Sequence, residues 1–337
     1  MRQPVFFERN KVGRVYLGGK LFEGFFGDSA EDGFFPEEWI ASSVEALNRE
    51  KVREREGVSR IAGTGQYFDE YLKENPKEIL GSRGKMRILV KVLDSAIRLP
   101  AQAHPDKAYS AKYFGSQYGK TESWILLDAR EGAKLCFGFR DGVDRERFSA
   151  AIDASLQDKE AMSVLMKDII PEKNDCFLVP ARTVHAIGAG CLILEIQEPT
   201  DFTIQPEHWC GDYKLNDQEM YLGLSKEVAM DCFDFTQAPD TKMIPGIIKE
   251  APGTIVENLI GPEHTDCFVV NRIKLNQGSF DLNIQDSYGV YVVTEGTGKL
   301  VGEGFEKALK KGDYFFLPSC LMGQYEIQGS MECVECY

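Results

Sequence analysis

Apolar residues in this chain fall in short runs punctuated by glycine and proline. ILVKVLDS (88–95), KLCFGF (134–139), DCFLVPA (175–181) and CLILEIQ (191–197) set β-branched and aromatic residues between turn formers, which predicts strands of a barrel or sandwich. The opening segment GRVYLGGKLFEGFFG (13–27) reads the same way. Two stretches show helical spacing instead. YFDEYLKENPKEIL (67–80) puts Phe68, Tyr71 and Leu72 on one face, and RERFSAAIDASLQDKEAMSVLMKDII (145–170) repeats apolar positions among strong helix formers. Both are expected as helices packed beside the barrel. LNDQEMYLGLSKEVAMDCFDF (215–235) reads as short helices and leads through PDTKMIPG to a second β-rich unit. That unit carries FVVNRIKLN (268–276), GSFDLNI (278–284), SYGVYVVTEGTGKLVG (287–302) and KKGDYFFLPSC (310–320).

At 337 residues, 43% hydrophobic and 27% charged, the chain can bury two domain cores. A net charge of −14 argues against a nucleic-acid or anionic-membrane partner, which would need a basic face. The first residues, MRQPVFFERNKVG, lack a secretory pattern and no apolar run approaches membrane-spanning length, so a cytoplasmic location is expected. Nine scattered cysteines read as reduced thiols. Cys333 and Cys336 form a lone CxxC, which fits a terminal strand better than a zinc ribbon.

The chemistry concentrates at four positions. Gln102 and His104, in LPAQAHPDK (99–107), are two apart and face the same way if the segment is extended. Glu122 lies in GKTESW (119–124) and His185 in VPARTVHAIG (179–188). Two imidazoles, one carboxylate and one amide oxygen form a set that suits zinc with one position left open. A lone histidine in a strand is more often a satisfied core or rim residue than a ligand, and spacing alone does not settle which holds here.

Several segments in order along the chain resemble the type I mannose-6-phosphate isomerases, a zinc-dependent cupin family. The resemblance rests on Tyr16-Leu17-Gly18-Gly19, EEWIASS (37–43), ILVKVLDS, QAHPDK (102–107), GKTESW, VPARTVHAIG and ILEIQEPTD (193–201), covering about residues 1–210. It implies a mainly β fold of two cupin-like jelly-roll units: a catalytic unit at 1–240 with a helical insertion, and a second unit at 241–337 without metal ligands. It also implies one Zn2+ held by Gln102, His104, Glu122 and His185, with Lys120 and Lys91 facing a sugar phosphate. Lys107 is a third cation nearby, read as a solvated loop lysine.

Two positions depart from the family. Pro100 stands where a phosphate-contacting serine is usual, and Gln205 where an arginine is usual. Proline offers neither hydroxyl nor N–H, and an amide cannot replace a guanidinium's charge. Arg87, Arg98, Arg140 and Arg182 are substitutes by type. The implied reaction is interconversion of mannose 6-phosphate and fructose 6-phosphate through an enediol. Alternatives are isomerisation of another sugar or sugar phosphate, or a cupin that binds metal and sugar without turnover. Glu195 is a possible participant, though read first as a structural carboxylate, and the sequence carries no signal for an oligomeric state.

Overall fold

A central sheet buried on both faces explains why so many strands here are unbroken apolar runs. The computed structural model describes residues 2–236 and 241–337. In it, Glu37–Ile40, Leu89–Ser95, Cys191–Gln197, Glu122–Ala129 and Cys176–Val179 lie side by side, each antiparallel to its neighbours. One face presents Leu93, Trp124, Leu126, Phe177 and Ile193 to a three-stranded sheet made of Met166–Ile169, Leu135–Phe139 and His185–Ile187. The opposite face presents Val90, Val92, Leu194 and Ile196 to Val290, Val292, Phe316 and Val334 of the C-terminal unit.

The C-terminal unit orders its strands Gly246–Ala251, Thr254–Ile260, Val270–Asp281, Tyr325–Cys336, Gly289–Gly302 and Phe305–Lys310, with Tyr314–Leu317 also paired to Gly289–Gly302. The two runs expected at 268–276 and 278–284 merge into the single strand Val270–Asp281, whose pairing shifts between Leu275 and Gly278. Cys333 and Cys336 lie in the last strand as buried free thiols. Strand exceeds helix, 37% to 16%, so the class is mainly β. The expected division after residue 240 lies outside the described residues.

The helical expectations need correction. The stretch 67–80 is two helices, Phe68–Glu74 and Pro76–Leu80, because Pro76 cannot continue the first and Asn75 caps the second. Their Phe68, Tyr71, Leu72, Ile79 and Leu80 enter the core between the two β units. Of 145–170, only Arg145–Ala154 is α-helix. Ser155 follows it, buried, its hydroxyl donating to the Ile152 carbonyl (2.7 Å) and accepting from His208 N–H (3.2 Å). Met166–Ile169 then pairs as a strand with Leu135–Phe139, a long-range pairing that overrides local helix propensity. Within 13–27, Phe22–Phe26 is a helical turn. The helices Asp217–Tyr221 and Lys226–Met230 fall inside 215–235 as expected, packing Met220 and Met230 into the same cluster as Phe148 and Ile152. Among the described residues no helix is long and apolar enough to cross a membrane.

The turn at Leu17–Gly19 requires glycine for a steric reason. A Cβ on Gly18 would lie 1.8 Å from the Asp94 carbonyl oxygen. The Asp94 carboxylate accepts from the N–H of Gly19 (2.7 Å) and Leu21 (3.0 Å), fastening this turn to the strand that carries Lys91.

Candidate metal centre

The segment around Gln102 and His104 is extended, but it is held by single bridges rather than a full ladder. Gln102 exchanges two 2.9 Å backbone bonds with His185, and Ala103 bonds Ile204 at 2.9 and 3.0 Å. Pro100 and Pro105 flank it, and neither can donate to a ladder. The GKT turn before Glu122 is pinned by the Lys120 N–H on the Pro105 carbonyl (2.9 Å) and by Glu198, which accepts from Gly119 and Thr121 N–H at 3.2 and 3.0 Å.

These supports bring His104, Glu122 and His185 together. Their donor atoms all lie within 4.8 Å of one another, the one such group of His, Cys, Asp and Glu among the described residues. His104 Nε2 is 3.2 Å from His185 Nε2 and 3.1 Å from Glu122 Oε2, and His185 Nε2 is 3.4 Å from Glu122 Oε1. Each Nδ1 sits on a backbone carbonyl, Phe202 O for His104 (2.9 Å) and Thr183 O for His185 (2.8 Å). A carbonyl only accepts, so Nδ1 carries the proton and the two Nε2 lone pairs face one another. Glu122 Oε2 is buried and lacks a hydrogen bond of good geometry. Two opposed lone pairs beside an orphaned carboxylate oxygen call for a cation, and the Lys120 ammonium already lies there, 3.0 Å from His104 Nε2 and 3.3 Å from Glu122 Oε2. The donor set therefore fits a metal. Gln102 is nearly buried and lines the adjoining cavity beside Glu122.

Electrostatics keep the group in a metal-ready state. Burial, aided by Lys120, lowers His104 to about 3, and burial likewise lowers His185, so both imidazoles stay neutral. Burial works against the Glu122 carboxylate, yet its pKa lies well below the usual range, with the Lys120 ammonium the foremost opposing influence.

A cavity of about 400 Å³ opens from this cluster and takes in Lys91, Lys120, Glu195, Glu37, Arg14, Asp201, Pro100 and Gln205. The register places Lys91 opposite Glu195 on one side and Trp39 on the other, and the buried lysine lines the cavity. Lys107, by contrast, opens the helix Lys107–Phe114 and pairs with Asp266 (2.8 Å) outside the cavity. None of Arg87, Arg98, Arg140 and Arg182 lines it.

Sequence reasoning named Glu195 and Lys91 but missed Glu37, Asp201 and Arg14, which organise the wall. Glu37 accepts from Arg14 (2.9 and 3.2 Å), Tyr16 hydroxyl (2.6 Å) and Trp39 indole N–H (2.6 Å). Asp201 takes the other edge of Arg14 at 2.9 and 3.1 Å. Glu195 is fully buried within its strand, and burial raises it to about 7 against the pull of Lys91.

The chain is similar in sequence and fold to known proteins. Residues 261–337 match the family model described as mannose-6-phosphate isomerase, cupin domain. The chain is 28% identical over 340 residues to a probable mannose-6-phosphate isomerase, GmuF, of Bacillus subtilis, covering 98% of both. It is 26% identical over 340 residues to the mannose-6-phosphate isomerase of Streptococcus mutans, covering 99% of this chain and 98% of that one. The solved structure of mannose 6-phosphate isomerase from Bacillus subtilis superposes over 100% of both chains with TM-score 0.81 at 24% identity, which establishes the fold. A mannose 6-phosphate isomerase solved with zinc and yttrium aligns over 100% of this chain and 99% of its own at TM-score 0.72 and 15% identity.

Proposed function

We propose that this chain, similar in sequence and fold to the mannose-6-phosphate isomerases, is a zinc-dependent aldose–ketose isomerase interconverting mannose 6-phosphate and fructose 6-phosphate. The observation that carries the reading is the convergence of the His104 and His185 lone pairs on the buried Glu122 carboxylate, one on each oxygen, beside the cavity that Glu122 lines. In this reading Gln102, His104, Glu122 and His185 hold one zinc ion. Bound there, zinc supplies Lewis acidity towards the sugar's oxygens.

The chain's own residues account for the remaining steps. Isomerisation of the open-chain aldose breaks the C2–H bond, moves its electron pair into a C1–C2 double bond and places negative charge on O1. A proton must then return to C1 while the O2 hydroxyl passes its own to O1, leaving the ketone at C2. Glu195 is suited to take and return the carbon-bound proton, because a carboxyl near 7 exchanges protons with little driving force either way. Lys91, 3.5 Å from Glu195 and buried, and Lys120 supply fixed positive charge for the developing oxyanion. Phe114, Phe202 and Leu99 add apolar wall that limits water.

The test is isomerase assay of zinc-loaded protein on mannose 6-phosphate. Turnover abolished by His104→Ala and by Glu122→Ala is expected. Robust turnover in either variant overturns the metal-based reading.

A further inference from the structure

With Pro100 on the cavity wall, the substrate's anionic end needs a partner elsewhere. The inner wall cannot provide one, because its cations are already matched. Arg14 spends its guanidinium on Glu37, Asp201 and the side-chain amide oxygen of Asn48 (3.0 Å). Lys91 sits between Glu195 (3.5 Å) and Glu37 (3.8 Å), and Lys120 against Glu122 and His104. These three cations face four carboxylates, Glu37, Glu122, Glu195 and Asp201. Even with a divalent ion, such a wall offers little net attraction to a phosphate dianion beyond the reacting centre.

The rim differs. Arg49 lines the same cavity but is exposed, which puts it at the mouth, whereas the metal cluster is buried at the floor. Among the described residues it has no carboxylate ion pair. Its contact is the Tyr213 hydroxyl, which itself donates to Glu219 Oε1 (2.7 Å). Glu219 is further engaged by the Asn216 N–H at 2.9 Å. Tyr213 thus orients the guanidinium without neutralising it. A guanidinium presents paired N–H donors that match phosphate oxygens, and one without a counter-ion breaks no ion pair when it engages them.

We propose that Arg49 binds the phosphate of the substrate at the cavity mouth, in place of the hydroxyl that Pro100 lacks, and so sets the preference for phosphorylated over free sugar. The inference rests on the isomerase reading for the identity of the sugar, but it concerns only the anion's position. Tyr213 acts as a positioning residue.

The experiment compares wild type, Arg49→Ala and Arg49→Lys, zinc-loaded, on mannose 6-phosphate and on mannose. Calorimetric titration of each sugar accompanies the kinetics. In Arg49→Ala the KM for mannose 6-phosphate should rise about tenfold or more with kcat within about twofold, and the preference for the phosphorylated sugar should fall in proportion. Arg49→Lys should recover part of the loss, because charge persists without the fork. If wild type turns over mannose 6-phosphate and Arg49→Ala keeps both its KM and its preference, the proposal is overturned and the isomerase reading stands. Should wild type bind mannose 6-phosphate in an Arg49-dependent manner without turning it over, the proposal stands and the isomerase reading fails. Binding of neither sugar to wild type overturns both.

Discussion

Lys91 and Glu195 stand directly opposite each other on adjacent antiparallel strands, both buried, with Nζ and Oε1 3.5 Å apart. Burial drives the Glu195 carboxyl up to about 7 while Lys91 restrains it. As proton acceptor Glu195 must be ionised, so kcat/KM should fall as pH drops through 7. Lys91→Met removes the restraint and should move that limb to higher pH. Glu195→Gln should abolish the limb and lower kcat roughly 10²–10⁴-fold. A limb that stays in place in Lys91→Met would contradict the pairing's role.

The two buried imidazoles give a stability prediction for metal-free protein. In the unfolded chain each binds a proton near 6.5, whereas the folded state holds His104 neutral down to about 3 and also lowers His185. Across that window the unfolded state binds more protons, so stability rises with pH and is lost as pH falls from about 6.5 towards 3. Urea unfolding of metal-stripped protein at a series of pH values should show this slope, and the double variant His104→Gln, His185→Gln should flatten it. Equal slopes in the two proteins would count against neutral buried histidines.

A third prediction concerns the seam between the β units. Glu38, buried in Glu37–Ile40, accepts from the Tyr314 hydroxyl (2.6 Å) and the Asn10 N–H (2.7 Å), while its Oε2 has no partner. Tyr314→Phe leaves a buried carboxyl with one donor fewer and should destabilise by about 1–3 kcal/mol, read from the urea midpoint. An unchanged midpoint would show that this bond does not brace the seam.

Much of the β framework was legible because strands buried on both faces announce themselves as apolar runs, as in CLILEIQ and ILVKVLDS. The candidate metal ligands stood out through motif order rather than spacing, and the structure brings three of them, His104, Glu122 and His185, together. What stayed hidden depended on distant partners. VLMKDII looked helical because its pairing with Leu135–Phe139 leaves no local trace. The break at Pro76 was in the sequence and went unread. Glu37, Arg14 and Asp201 come from separate segments, and only the folded register makes them one network.

The central claim is that Gln102, His104, Glu122 and His185 enclose one zinc ion, and anomalous X-ray scattering across the zinc edge tests it most directly on crystals of protein purified without chelator. The account predicts a single strong anomalous peak about 2.0–2.2 Å from His104 Nε2, His185 Nε2, a Glu122 oxygen and the Gln102 amide oxygen. No peak between those side chains in zinc-loaded crystals, or a peak held by other residues, would contradict it.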